Sequence, residues 1–139
     1  MRVAPLGLTR KWSAEEAFKL AAEAAALTHG HASGYLSAGA LAFMIRRLID
    51  ARDLTEAAEE CASVLAPQAH GEETRTAILR ALETDERRPY SLPAVKHLGE
   101  GWVGEEALSI GLHSALLGSS FPEVLTIAAN HDGDSDSTA

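Results

Sequence analysis

Three observations predict an all-α protein, a compact helical bundle. Apolar residues recur at three- and four-residue spacing through most of the chain, serine or aspartate followed by glutamate three positions on marks helix starts, and nothing alternates with strand period for more than a few residues. The first start is Ser13-Ala-Glu-Glu16, where the serine hydroxyl can accept from a first-turn amide while the glutamate reaches back to the serine amide. It predicts a helix over residues 14–29 that buries Phe18, Ala21, Ala22 and Ala25. Next, SGYLSAGALAFMIRRLIDAR spreads Leu36, Phe43, Met44, Ile45, Leu48 and Ile49 around most of a helix circumference over 33–50. Such a helix belongs in the centre of a bundle. Asp53-Leu-Thr-Glu56 caps a third helix, whose Leu54, Ala57, Ala58, Cys61, Val64 and Leu65 form one stripe ending at Pro67. Gly71 and Glu72-Glu73 open a fourth, with Ala77, Ile78, Ala81 and Leu82 inward. ERRPYSLP is the main break, because its prolines cannot continue a helix. A short helix over 92–98 follows and stops at Gly99, residues 102–117 make another mostly buried helix, and Ser120-Phe-Pro-Glu123 caps a last one ending at Asn130.

Bulk properties narrow the function. A chain of 139 residues, 46% of them apolar, fits one domain with a real core. Twelve basic against twenty acidic side chains give a net charge of −8, and the basic residues form pairs such as Arg46-Arg47 and Arg87-Arg88 but no stripe, so a nucleic-acid partner is not expected. The single Cys61 allows no internal disulfide and no metal-binding cysteine pair, which fits a reducing cytoplasm. MRVAPLGL is a short apolar run broken by Pro5, and no stretch approaches the roughly 20 apolar residues of a membrane span. No membrane association is expected.

The chemistry concentrates in NHDGDSDSTA, residues 130–139. Asp134-Ser-Asp136-Ser137 offers carboxylates two residues apart with hydroxyls beside them, and Gly133 permits a tight backbone approach. A hard cation such as magnesium needs oxygen ligands of this kind, but it usually takes only one or two protein carboxylates and keeps waters, so the segment suits one wall of a site. Read alone, it equally suits a charged, flexible terminus.

MRVAPLGL at 1–8, ALTHGHASGYLSAGALA at 26–42, LGEGWVGEEAL at 98–108 and AANHDGDSDSTA at 128–139, in this order and spacing, together resemble the ADP-ribosylglycohydrolase family, which includes the dinitrogenase reductase-activating glycohydrolases. The resemblance implies an all-helical fold, a pair of magnesium ions, and hydrolysis of the glycosidic bond joining ADP-ribose to a protein side chain or related acceptor. It makes Asp134, Asp136 and Ser137 metal ligands, with Asp132 departing from the glycine usual in that motif. It places His29, Gly34 and Tyr35 along the ADP-ribose pocket, and Gly99, Gly101 and Trp102 in a glycine loop where backbone approaches the nucleotide. Other readings of the same residues stand beside these. His29 suits a helix C-terminus, where an imidazole meets free carbonyls, while Gly99 suits a helix end and Trp102 the core face of the next helix.

Family members carry a GNG run directly before the segment seen here as MRVAP, and a TDDT-like acidic motif earlier still. The resemblance therefore implies a C-terminal portion of the domain, incomplete at both ends, inactive alone, with residues 132–139 as a frayed tail. The expected partners are an ADP-ribosylated protein or small ADP-ribose conjugate, and a separately encoded N-terminal half is a further candidate. The competing expectation is a non-catalytic helical module that binds ADP-ribose or a protein.

Overall fold

The computed structural model describes residues 2–83 and 97–139, and these hold eight helices and no strand. The expected break at ERRPYSLP and most of the expected 92–98 helix lie outside the described residues, while His97 and Leu98 form a turn. The chain divides into two compact units, Met1–Thr76 and Ala77–Ala139.

In the first unit α1 (Ala4–Leu8) was not expected. Pro5 falls in its first turn, where a missing N–H forfeits no helical bond, so proline starts this helix rather than breaking it. The helix α2 (Ala14–Ala26) opens on the Ser13 capping box, with Glu16 N donating to Ser13 Oγ at 3.2 Å and Ser13 N donating to Glu16 Oε2 at 2.8 Å. It stops three residues short of the expected His29, and beyond its end the Thr28 and His29 amides share Ala25 O, at 3.0 and 2.9 Å. The central helix is α3 (Ala32–Ile49), which packs against α1, α2 and α4 (Leu54–Leu65). Burial of Leu36, Ala40, Phe43 and Met44 matches its apolar circumference, although Leu48 is exposed.

Arg46 is buried with these apolar neighbours. Its guanidinium donates from Nε to Trp12 O at 3.0 Å and pairs through Nη2 with Asp50 at 2.7 Å, joining the α1–α2 connection to the end of α3. After Asp50 the chain closes a Schellman motif, with Arg52 N donating to Arg47 O at 3.1 Å and Ala51 N to Leu48 O at 3.0 Å. Ala51 occupies the left-handed position, φ 62°, that glycine normally fills. Asp53 then caps α4 by accepting from Thr55 N at 2.8 Å, and this bond holds its carboxyl below the ordinary value. Cys61 is buried on α4, facing Ala40 O across to α3 at 3.9 Å, and burial pushes its thiol up to about 12.

The helix α5 (Glu72–Leu82) runs across the division and buries Thr74, Ile78 and Ala81. In the second unit α6 (Gly104–Leu117) packs on α7 (Phe121–Ala129) and α8 (Ser135–Thr138), which also touch each other. The buried face of α6 is more polar than expected. Ser109 donates to Ala77 O at 3.0 Å, and His113 Nδ1 lies 3.4 Å from Ala81 O, so its proton resides there and Nε2 is left buried without a partner. Burial lowers the His113 pKa against the pull of the Ala81 carbonyl, and the nearby His97 lowers it further. The expected Ser120 box does not form: Ser120 makes no cap bond, and Glu123 instead accepts from the Ser119 amide and hydroxyl at 2.9 and 2.5 Å.

Candidate functional site

In the second unit the candidate residues gather on the loop that leads into α6. Gly99 and Gly101 take φ of 108° and 82°, conformations that side chains rarely adopt. Space excludes side chains as well. A Cβ on Gly99 would lie 2.3 Å from Glu106 Cδ, and one on Gly101 would lie 2.9 Å from Thr138 Cγ2. Glu106, in the first turn of α6, folds back so that Oε2 accepts from the amides of Glu100 and Gly101, both at 3.1 Å. Trp102 does not begin the helix as expected; α6 starts at Gly104, and the indole is 67% exposed with its N–H given to Glu100 Oε2 at 3.1 Å.

The acidic segment is attached to this loop. Asp134 N donates to Glu100 O at 2.8 Å, and Gly133 comes so near that a Cβ there would sit 1.8 Å from the same oxygen. Its other end is secured by His131. The Gly133 amide donates to His131 Nδ1 at 3.1 Å, which leaves the ring proton on Nε2, and Nε2 faces Thr138 Oγ1 at 2.8 Å. Thr138 in turn donates to Ala128 O at 2.7 Å and is buried. Residues 135–138 form one helical turn.

Asp134 stands at the N-cap of α8, yet its side chain makes no cap bond. Its Oδ2 accepts the Ser137 hydroxyl at 2.7 Å, so two of the three expected metal ligands meet. Asp136 lies on the same turn and is exposed. Among the described residues no group of three or more His, Cys, Asp or Glu side chains is placed to hold a metal ion.

The remaining candidates belong to the first unit. A Cβ on Gly34 would lie 3.1 Å from His29 Cβ, and the amides of Gly34 and Tyr35 both turn to His31 O, at 3.1 and 3.4 Å. His29 lies beyond the end of α2, and its Nδ1 meets the Thr28 hydroxyl at 2.8 Å rather than a free helix carbonyl. His31 caps α3 through Nδ1, an imidazole serving where serine or aspartate is usual.

Glu106, His131 and Thr138 are the structural contributors that sequence reasoning missed. Glu106 was visible only as one of two acids in a helix's first turn, where the dipole already accounts for it. No local template signals that it reaches back six positions to Glu100.

These features define a class: a helical protein in which a serine–aspartate turn is fastened to a glycine loop ahead of a helix. The model of the ADP-ribosylglycohydrolase family matches residues 1–139, the whole chain, and the protein belongs to that family. No curated protein and no solved structure matches the chain. No helix among the described residues is long and apolar enough to cross a membrane.

Proposed function

We propose that the chain serves magnesium-dependent hydrolysis of the glycosidic bond between ADP-ribose and a protein side chain or related acceptor. The observation that carries this reading is the Asp134 carboxylate: a residue at a helix N-cap normally spends its oxygens on first-turn amides, and this one makes no cap bond but accepts the Ser137 hydroxyl. Instead it is positioned from its backbone, through Asp134 N on Glu100 O, while Ser137 donates its proton to Oδ2. The second carboxylate oxygen, the serine lone pairs and the exposed Asp136 remain as hard oxygen donors, which suits one wall of a magnesium site.

When bound, magnesium supplies positive charge that holds ribose hydroxyls and a water near the anomeric carbon. Asp134, Asp136 and Ser137 hold and orient it without transferring protons. In this reading Trp102 offers its exposed indole face to the nucleotide, and Gly99 and Gly101 shape the loop beneath it.

The test combines binding and turnover on the purified chain. ADP-ribose binding by calorimetry that magnesium strengthens and Asp136→Asn abolishes is the expected result, with no release of ADP-ribose from a modified arginine or serine peptide by the chain alone. Binding that survives Asp136→Asn, with no turnover, would transfer the chain to the class of ADP-ribose-binding modules. Binding of neither magnesium nor ADP-ribose would refute the proposal.

A further inference from the structure

We propose that Glu106 is a positioning residue whose carboxylate clamps the glycine loop and, through that loop, sets the place of Asp134. The proposal rests on the magnesium reading above for its functional consequence, and on geometry alone for the clamp. One oxygen, Oε2, accepts two successive amides, those of Glu100 and Gly101. An acceptor with full negative charge suits this arrangement, since hydrogen bonds to ionised groups are roughly twice as strong as neutral ones. Gly99 is a glycine on the same account: the space a Cβ would need is filled by Glu106 Cδ, Cγ and Oε1, all within 2.6 Å of the Cβ position.

The clamp transmits to the acidic segment through Glu100. Its amide is held by Glu106, its carbonyl accepts from Asp134 N at 2.8 Å, and its carboxylate accepts from Trp102 Nε1 at 3.1 Å. A residue gripped at all three points gives Asp134 a fixed reference. Without Glu106 the two loop amides lose their acceptor, and the left-handed conformations at Gly99 and Gly101 have nothing to select them from glycine's wide range. Asp134 would then keep its chemistry and lose its register. Glu106 touches no expected metal ligand directly, so its effect on a metal can only pass through the backbone of Glu100.

The experiment uses the full chain in three forms: wild type, Glu106→Ala and Glu106→Gln. In the wild type, through-hydrogen-bond NMR couplings from the Glu100 and Gly101 amide nitrogens to the Glu106 carboxylate carbon are expected, and their absence overturns the clamp whatever the variants do. Glu106→Gln keeps an oxygen acceptor and should retain both amides at low-field shifts, whereas Glu106→Ala should move both upfield. Binding of Mn2+, read by electron paramagnetic resonance, should weaken about 10- to 100-fold in Glu106→Ala and by no more than about threefold in Glu106→Gln, the range seen when outer-shell support of a metal ligand is removed or retained. Equal losses in the two variants would mean that charge near the site, and not the clamp, is what matters, and would overturn the proposal. Should the wild type bind no Mn2+, the functional reading falls, and the clamp is decided by the couplings and amide shifts alone.

Discussion

Replacing Gly133 by alanine tests the joint between the glycine loop and the acidic turn with a single methyl group. Gly133 lies outside the left-handed region, so backbone strain contributes nothing and the effect is one of space. The new Cβ would lie 1.8 Å from Glu100 O, 2.6 Å from its carbonyl carbon and 2.8 Å from its Cα, and all three are backbone atoms that no rotamer change can move aside. To restore even a 3.0 Å contact, the two strands of chain must part by at least 1.2 Å. That separation takes the 2.8 Å Asp134–Glu100 bond beyond hydrogen-bonding range. Overpacking costs about 1–3 kcal/mol and the broken bond about 0.5–1.5 kcal/mol, so the joint loses about 1.5–4.5 kcal/mol. Residues 133–138 can escape the clash by detaching, and the loss then registers as local opening instead of global unfolding. Hydrogen exchange at the Asp134 amide is therefore the assay, with Gly30→Ala as control because nothing lies within 4 Å of a Cβ there. A loss of about 2 kcal/mol corresponds to roughly 30-fold faster exchange of that amide. Unchanged protection of Asp134 in Gly133→Ala would refute the contact and, with it, the fastening of the acidic turn to the loop.

Three further outcomes follow from the packing. Ala51→Gly should stabilise the chain by about 0.5–1 kcal/mol in urea denaturation, since it relieves a left-handed alanine at the cost of some unfolded-state entropy; a destabilised variant would contradict the Schellman geometry. Cys61, with its thiol raised from 9.0 to about 12, holds its proton longer folded than unfolded, so its contribution is complete below pH 9 and is lost as pH rises toward 12. The slope, about 1.4 kcal/mol per pH unit, should be absent from Cys61→Ala, and rapid reaction of the native thiol with a disulfide reagent at neutral pH would contradict its burial. His113, whose pKa is lowered from 6.5 by burial, behaves in the opposite sense: its contribution is complete above pH 6.5 and is lost as pH falls and the unfolded chain takes up the proton first. His113→Leu should flatten the acid limb of the stability profile and leave neutral-pH stability equal or higher, because it removes the unpartnered Nε2.

Legibility in the sequence followed the range of the interaction. Ser13 with Glu16, and Asp53 with Thr55, are contacts within three residues, and both helix starts were read from the residues alone. The same pattern misled at Ser120, where Glu123 chose the neighbouring Ser119, because a serine pair offers two acceptable geometries at one helix start. Arg46 read only as one of an arginine pair, whereas its fate is set by Trp12 O, 34 positions away, which no local rule can supply. In the candidate site the residue types of the acidic turn were legible as oxygen donors. Their attachment was not, since Glu100 with Asp134 and Thr138 with Gly101 are tertiary contacts between segments more than thirty residues apart in sequence.

The glycine loop also constrains how an anionic ligand can be received. Loops of this kind ahead of a helix often bind phosphate through successive backbone amides. Here the amides of Glu100 and Gly101 are already engaged by Glu106, and the side of Gly101 that lacks a Cβ faces Thr138 and Asp134. The two glycines are thus explained by the fold's own packing, and these two amides are not the donors that would greet a pyrophosphate. The neighbouring carboxylates of Glu100, Asp134 and Asp136 would repel one. An ADP-ribose conjugate approaching this face therefore needs a cation between its oxygens and the aspartates, or else must present its neutral portions, adenine or ribose, to the exposed indole of Trp102. Adding magnesium should for this reason strengthen ADP-ribose binding, and by the reciprocity of linkage ADP-ribose should strengthen magnesium binding by the same factor. Calorimetric titration of each ligand in the presence and absence of the other measures that factor, and a value of one would show that the aspartates and the nucleotide are not parts of one site.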